Sequence, residues 1–373
     1  MDLYTAMIHK EDLPSTQRPS YTSFIDKEKE YLESNKFKKD EEFWLDQFSS
    51  IPELATIPSA THDNFCKTND STAERKQYVL PKELIDTINE LCKKNHVSIF
   101  NFFMAILAIY TSNVCNLKEF VIGTPILNRT TFQEKQTTGM FISTVPFKID
   151  LTNMKLSFYE FLSKIGTETL SLFRHQKYPY QYLLNHLRKE NKTIPNLYDI
   201  LLSYQNIRSD KQTNRTNYES HWIFNGNVSD SINIHLYDMN DLGSLDIAYD
   251  YQLANYKESD IEAMHKRILW IIEQVLKKDS ILIEDIDMIT PEEKNKILTQ
   301  YNNTTLSYDS TKTICQLFEE QVKKTPQKTA IIFDGKEYSY QDLNTQANKL
   351  AYHLFDSGVQ PRKCNWHYGK TFT

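Results

Sequence analysis

The stretch from Glu119 to Asp150 decides the fold, because it holds two β-branched runs separated by turn residues: EFVIGTPI at 119–126, LNRT at 127–130 and FISTVPFKID at 141–150. Such runs predict two strands. A helix is predicted directly after them, from Ser157 to about Arg174, with an inward face made of Phe158, Phe161, Leu162, Ile165, Thr169 and Leu172. Strands that alternate with helices indicate an α/β domain.

Two further helices are predicted upstream, between residues 80 and 114. Pro81 suits the first turn of one helix, and Ser98 can cap the other. The second helix contains the longest apolar run of the chain, from Ile99 to Tyr110. Because a bilayer span needs about 20 residues, this run predicts a buried helix and no membrane segment.

Short strands are predicted downstream of residue 198, in the runs DILLSYQN, SHWIFN, SINIHLYD and SLDIAYDYQ. Polar side chains alternate with apolar ones in the last two runs, at Asn233, His235, Asp246 and Asp250, which predicts a sheet with one wetter face. A strong amphipathic helix from Glu258 to Lys277 closes the region.

A domain boundary is predicted at residues 279–310, which are acidic at first and then rich in Asn and Thr. Beyond it, residues 311–361 contain one predicted helix, a hairpin that turns at Asp334-Gly335, and a second helix that stops at Gly358. The second helix is expected to turn Leu343, Ala347, Leu350, Ala351 and Leu354 inward. So short a segment can scarcely bury a core alone.

Composition excludes several classes of protein. The 373 residues carry a net charge of −6 and only 8 glycines, so a disordered chain, a nucleic-acid-binding surface and a glycine-rich phosphate loop are not expected. The five cysteines form no CxxC pair, which argues against a zinc site or a disulfide framework. The same cysteine content favours a location in the reducing cytoplasm. Gly369-Lys370-Thr371 resembles the end of a P-loop, but Cys364 stands where that pattern needs glycine.

Five segments, taken in order, resemble the later conserved motifs of nonribosomal peptide synthetase condensation domains: the run at 18–48, VIGTPILNRT (121–130), TTGMFISTVPF (137–147), RHQKYPYQYLL (174–184) and NLYDILLSYQN (196–206). Residues 313–361 resemble the opening of an adenylation domain. Each segment also has a plain structural interpretation: Gly139 and Phe141 as a turn and a core aromatic, Pro179 as a break between helices, and Ser203 to Asn206 as a strand end.

The resemblance implies an α/β sandwich like that of chloramphenicol acetyltransferase, incomplete and consisting mainly of the second lobe, followed by a short α+β piece of an adenylation domain. It implies amide-bond formation between substrates carried on the phosphopantetheine arms of peptidyl carrier proteins, with no cofactor or metal bound directly. Ser143, Thr144, Ser203 and Gln205 are carried over as residues near the substrate tunnel.

The departures from the family pattern are informative. The family's HHxxxDG motif, whose second histidine guides the attacking amine, does not occur in this sequence, so no catalytic residue is assigned. We therefore expect residues 1–278 to be a condensation domain that lacks most of its first lobe, 279–310 a linker, 311–361 an adenylation fragment and 362–373 an unmatched tail. Such a chain is expected to be inactive alone.

An alternative left open by the sequence is a non-catalytic module that docks carrier proteins or pairs with a separately encoded first lobe. It rests on the apolar face that an unpaired lobe would expose. A free-standing acyltransferase of the same fold is disfavoured, because that fold also needs the missing histidine.

Overall fold

The computed structural model describes residues 2–10, 12, 19–59, 70–190, 194, 196–206, 223–238, 243–278, 280–307 and 309–359. Two compact units divide the chain, Met1–Lys294 and Asn295–Thr373, and each is described by itself below. The predictions that concern Cys66, Cys364, Gly369-Lys370-Thr371 and the tail at 362–373 lie outside the described residues.

A six-stranded mixed sheet organises the first unit. In chain order its strands are β1 (Ala73–Leu80), β2 (Glu119–Ile126), β3 (Ser143–Asp150), β4 (Ile200–Gln205), β5 (Ile232–Tyr237) and β6 (Leu245–Gln252). The spatial order is β1-β6-β5-β4-β2-β3. The central β5–β4 and β4–β2 pairs run parallel, whereas the other neighbours run antiparallel.

Ten helices of the first unit accompany this sheet among the described residues: α1 (Asp2–His9), α2 (Tyr21–Leu32), α3 (Asn35–Gln47), α4 (Lys82–Lys94), α5 (Ile99–Cys115), α6 (Phe132–Gln136), α7 (Phe158–Arg174), α8 (Tyr180–Glu190), α9 (Glu258–Lys277) and α10 (Pro291–Asn295), the last of which ends at the unit boundary. A 3₁₀ turn at Ile283–Asp285 lies between α9 and α10. Five residues in π-helical geometry, Lys296–Gln300, follow α10.

Local sequence signals explain the helix starts. Ser98 caps α5 by accepting a hydrogen bond from the backbone N–H of Asn101. Ser157 and Glu160 form a reciprocal capping box at the start of α7. The predicted bounds of β2 and of α9 are confirmed, and so are the predicted inward faces of α7 and α9.

One layer of the hydrophobic core lies between the sheet and helices α5 and α9. Leu202, Ile234 and Leu236 on this face of the sheet meet Phe103 of α5 and Ile268 of α9. Helices α5 and α7 are joined beside it, where the Thr169 hydroxyl donates to the Asn101 side-chain oxygen at 3.2 Å. Because strand side chains alternate, the other face carries the intervening residues of each strand.

One strand prediction is wrong, and one strand was not predicted. The run SHWIFN was expected to be a strand, but its described residues, 223–225, belong to none. Strand β1 was not predicted, because its sequence AERKQYVL is largely polar and lies at a sheet edge, where β6 is its one strand partner among the described residues.

After the π-helical residues Lys296–Gln300, the second unit contains α11 (Ile314–Lys324), the hairpin of β7 (Thr329–Phe333) and β8 (Lys336–Ser339), and α12 (Tyr340–Asp356). Asp334 and Gly335 both have positive φ, as a two-residue hairpin turn requires. The expected inward face of α12 is not buried: Leu343 and Leu354 are partly exposed, and Ala347, Leu350 and Ala351 are exposed. Val322 is the one buried apolar side chain among the described residues of this unit, which is too small to cover more.

Among the described residues no single helix is both long and apolar enough to cross a membrane. Helices α4 and α5 pass such a test only when taken together, and they are bent by 101° where they meet.

Candidate functional site

The four predicted tunnel residues lie on two strands of the sheet. Ser143 and Thr144 open β3, where Thr144 pairs with Pro125 of β2. Ser203 and Gln205 lie on β4. The pairing registers place Thr144, Ser203 and Gln205 on the sheet face away from α5 and α9. Ser143, one residue earlier in β3, points to the opposite face.

Ser203 and Gln205 are linked to each other and flanked by aromatic side chains of β5. The Gln205 side-chain amide donates to the Ser203 hydroxyl at 3.3 Å. Across the parallel pair, Ser203 stands opposite His235 and Gln205 opposite Tyr237. The His235 and Tyr237 rings are nearly parallel, at 12°, with centroids 5.8 Å apart. These four side chains therefore form one polar band across two strands.

Two further strands complete this band with an ion pair. Arg75 of β1 donates to both carboxylate oxygens of Asp250 of β6, at 2.6 and 2.8 Å. The same carboxylate lies 3.2 Å from Nε2 of His235. We call the set Arg75, Ser203, Gln205, Asn233, His235, Tyr237 and Asp250 the polar sheet face. Asp250 fixes the orientation of the imidazole, as a carboxylate does for histidines in many sites.

Charge on the polar sheet face is controlled by burial and pairing. Burial alone would raise the pKa of Asp250, but the hydrogen bond from Arg75 and the contact with His235 lower it below its ordinary value. The hydrogen bond to Asp250 in turn raises the pKa of Arg75. Asp250 is therefore ionised and neutralised by Arg75 at any moderate pH.

Two buried polar atoms of the residues that form the polar sheet face lack hydrogen-bond partners within the described chain: Nδ1 of His235 and Oδ1 of Asn233. If Nε2 of His235 carries the proton toward Asp250, both atoms are acceptors. The face is therefore able to accept hydrogen bonds from N–H or O–H groups of a ligand.

The prediction of a sheet with one wetter face is therefore only partly correct. The alternation in β5 and β6 exists, but the Asp250 side chain is only 4% exposed and is held by Arg75 instead of by water. The sequence signal for Asp250 and His235 was this alternation. No sequence pattern pointed to Arg75, whose partner lies 175 residues away.

Three of the family-like segments meet where β2 connects to β3. Arg129 donates to the backbone oxygens of Thr137 and Gly139, at 2.6 and 2.9 Å, and its guanidinium lies 4.0 Å from the centre of the Phe141 ring. Tyr21 donates to the Met140 oxygen at 2.6 Å and covers Gly139, where an added Cβ would lie 2.2 Å from the ring. Gly139 and Phe141 thus have the structural roles of close approach and core packing.

Glu134 fixes the same connection from its other side. Its carboxylate accepts hydrogen bonds from the backbone N–H groups of Thr130 and Thr131, at 2.6 and 2.8 Å, in a capping box. Burial would raise the pKa of Glu134, but these hydrogen bonds and nearby Lys177 lower it to about 2.

The segment RHQKYPYQYLL attaches α7 to α3. Nδ1 of His175 lies 2.6 Å from the fully buried Asp40 carboxylate, which also accepts from Tyr31 and Lys36. The His175 ring stacks on Phe43 with centroids 4.0 Å apart. This histidine is therefore engaged in packing, and Pro179 precedes α8, consistent with its predicted role as a break.

Asp199 directly precedes β4, and its side chain holds the start of β4 to the start of β5. Its carboxylate accepts from the Ser231 hydroxyl and backbone N–H and from Thr56. The adjacent Asp230 is buried, and burial together with the Asp199 charge raises its pKa to about 6. Within the described residues, no group of three or more His, Cys, Asp or Glu side chains could hold a metal ion.

Comparison with known proteins gives the class to which this architecture belongs. The family model described as condensation domain matches residues 1–298, and the model described as AMP-binding enzyme matches residues 318–364. The chain belongs to the condensation-domain family.

Two relatives come from Bacillus subtilis (strain 168). One is a plipastatin synthase polypeptide, which is 33% identical over 359 residues, or 96% of this chain and 14% of that protein. The other belongs to surfactin synthase and is 32% identical over 342 residues, or 91% of this chain and 9% of that protein. The chain thus spans a small part of the length of these relatives.

Solved structures agree on the fold. The first condensation domain of the calcium-dependent antibiotic synthetase superposes with a TM-score of 0.61 at 14% identity, covering 78% of this chain and 62% of that one. A four-domain nonribosomal peptide synthetase bound to AMP and glycine gives a TM-score of 0.70 at 12% identity, covering 88% and 25%. The predicted α/β fold of the chloramphenicol acetyltransferase type is confirmed.

Proposed function

We propose that this chain contributes the second lobe of a condensation domain that joins two carrier-bound thioesters through an amide bond. The observation that carries the proposal is the polar sheet face, which brings Ser203 and Gln205 together with the acceptor atoms of His235 and Asn233. Thr144 lies on the same face and Ser143 at the start of its strand. These residues would line the path of substrates delivered on phosphopantetheine arms.

The proposal includes inactivity of the polypeptide by itself. The sequence contains no HHxxxDG motif, and the reaction needs an acceptor with a pKa near neutrality beside the attacking amine. Nδ1 of His175 is already paired with the Asp40 carboxylate, and the His265 side chain is buried. We place this chemistry in the cytoplasm, with peptidyl carrier proteins and other synthetase domains as partners.

The test is to mix the full chain with one carrier protein loaded with a donor aminoacyl group and another loaded with an acceptor. Intact-protein mass spectrometry is expected to show no dipeptidyl carrier above the level without the chain. Turnover above that background would overturn the inactivity, and His235→Ala would then show whether this histidine acts as the base.

A second candidate function is a non-catalytic module that pairs with a separate first-lobe polypeptide or docks carriers. The connection from β2 to β3 favours it, because four apolar side chains there are 57–77% exposed: Leu127, Phe132, Met140 and Ile142. Co-purification with a polypeptide bearing HHxxxDG supports this function, and loss of that pairing in Phe132→Ser/Met140→Ser assigns it to this surface. A chain that stays monomeric and binds neither partner contradicts it.

A further inference from the structure

One exposed Asn-Gly pair lies where the chain attaches to the start of β1. Of the eight glycines in the sequence, only Gly226 follows an asparagine. The Gly226 oxygen accepts a hydrogen bond from the Ala73 N–H at 2.8 Å, and Asn227 forms an isolated antiparallel bridge with Thr72. The pair Asn225-Gly226 therefore belongs to the segment that holds the beginning of the edge strand.

The Asn225 side chain is folded back over its own backbone. Its Oδ1 accepts from the Asn227 N–H at 3.0 Å, and its backbone oxygen accepts from the Asn227 side-chain amide at 3.2 Å. This Asx turn brings the side-chain carbonyl carbon, Cγ, toward the next peptide nitrogen, which belongs to Gly226. Two groups that a fold holds together react faster than two free groups. The turn therefore favours attack of the Gly226 nitrogen on Cγ of Asn225.

Both partners of such an attack are free to react. Asn225 is exposed, and the Gly226 N–H makes no hydrogen bond within the described chain. Gly226 has a φ of +79°, and apart from its chain neighbours no described atom lies within 4 Å of the place that a Cβ would take. Because glycine has no side chain and adopts backbone angles that other residues rarely adopt, a closing ring meets little hindrance here.

We propose that Asn225 is a site of spontaneous covalent modification, which converts its side-chain amide to aspartate and isoaspartate. The Gly226 nitrogen bonds to Cγ of Asn225 while the bond from Cγ to Nδ2 breaks, and the proton of the Gly226 N–H ends on the departing ammonia. Water then adds across either C–N bond of the resulting succinimide ring. Opening on one side gives aspartate, and opening on the other gives isoaspartate, whose main chain runs through the side-chain carbon.

The modification is expected to reach the polar sheet face, because Phe224 directly precedes the site. The centre of the Phe224 ring lies 4.9 Å from Cζ of Arg75. Isoaspartate lengthens the main chain by one carbon between Phe224 and Gly226 and adds a negative charge. Phe224 on Arg75 and Gly226 on Ala73 then no longer fit β1 together, so the start of this strand is expected to loosen.

The test is to incubate the full chain in water enriched in heavy oxygen, at mildly alkaline pH because the attacking nitrogen must lose its proton. Mass spectrometry of peptides prepared in ordinary water counts only the conversions that took a labelled oxygen. Asn225 is expected to convert at least about 10-fold faster than Asn227, which is equally exposed but precedes the β-branched Val228. A smaller ratio overturns the proposal.

Incubation in urea separates the contribution of the fold from that of the dipeptide. Because the Asx turn holds the reacting groups together, the folded chain is expected to convert Asn225 within about 10-fold of the rate in urea. A folded chain that is slower than this overturns the proposal. Asn225→Gln is expected to abolish the labelling of this peptide, since the longer side chain must close a larger ring, and Asn227→Gln is the matched control that should retain it. Labelling that persists in Asn225→Gln, or that disappears in Asn227→Gln, overturns the assignment to Asn225.

Hydrogen–deuterium exchange tests the effect on the sheet. The peptide that contains Ala73 and Arg75 is expected to exchange faster in the isoaspartate form than in the freshly prepared chain, whereas exchange in α5 should be the same in both. Equal exchange of the β1 peptide in the two forms overturns the link between the modified site and the polar sheet face.

Discussion

Arg75 and Asp250 form a two-point ion pair between β1 and β6, with N···O distances of 2.6 and 2.8 Å. Both side chains are largely buried, and the residues are 175 positions apart in the chain. The pair joins an edge strand to the sheet and at the same time holds His235 through the shared carboxylate. The stability of the sheet and the orientation of the polar sheet face are therefore coupled.

Substituting Arg75→Met is expected to destabilise the first unit by about 3–5 kcal/mol, because the buried Asp250 charge loses Arg75 and keeps only the contact with His235. Urea unfolding followed by circular dichroism measures the loss. The double variant Arg75→Met/Asp250→Leu removes both charges and should recover much of the stability. A loss below about 1 kcal/mol in the single variant would show that the pair is not desolvated.

Gly139→Ala is expected to destabilise the fold by about 1–3 kcal/mol, since the new methyl group would lie 2.2 Å from the Tyr21 ring. The matched background is Tyr21→Ala, in which the ring is absent and the same substitution should cost much less. Thermal unfolding of the four chains gives the coupling. An equal cost of Gly139→Ala in both backgrounds is the result that contradicts the contact.

Much of the fold was predictable because its signals are local. The bounds of β2 and α9, the caps at Ser98 and Ser157, and the Asp334-Gly335 turn all follow from residues within a few positions of each other. Periodicity also predicted the inward faces of α7 and α9, since both helices have a sheet or helix to pack against.

What could not be predicted depends on partners distant in sequence. Strand β1 is recognisable only once β6 pairs with it, and the burial of Asp250 follows from Arg75. The face of α12 shows the converse, since its pattern indicates burial but the second unit has too little structure to supply it. In the candidate site, family resemblance pointed to Ser203 and Gln205, whereas their neighbours His235 and Tyr237 follow from strand register.

His265 is expected to make stability depend on pH. It lies against Tyr78 at 3.7 Å between ring centroids and beside the Tyr249 hydroxyl, and burial lowers its pKa to about 4. In the unfolded chain His265 binds a proton with the ordinary pKa near 6.5. The contribution of the neutral His265 side chain to the free energy of unfolding is therefore complete above that pH. It decreases as the pH drops to 4, by at most roughly 3 kcal/mol.

The measurement is urea unfolding of the natural chain and of His265→Phe at several pH values. The stability difference between them should change in this window, whereas the raised pKa values of Asp230 and Glu168 act in the opposite direction in both chains equally. A constant difference between pH 7 and pH 4.5 is the contrary result.

Helix α12 is expected to exchange its amide hydrogens far faster than α5. Helix α5 is buried along most of its length, whereas α12 has no buried residue. Hydrogen–deuterium exchange on the full chain, read by mass spectrometry of peptides, compares the two directly. Protection of α12 as strong as that of α5 would show that its apolar residues are covered.

The most direct test of a second-lobe role adds a separately expressed first lobe, bearing HHxxxDG, to this chain and to carriers loaded with donor and acceptor aminoacyl groups. Mass spectrometry of the acceptor carrier is expected to show a dipeptide only when both polypeptides are present. Gln205→Ala should reduce its rate about 10-fold or more if the polar sheet face guides the substrate. Product from this chain alone, or no product when the two polypeptides form a complex, would contradict that role.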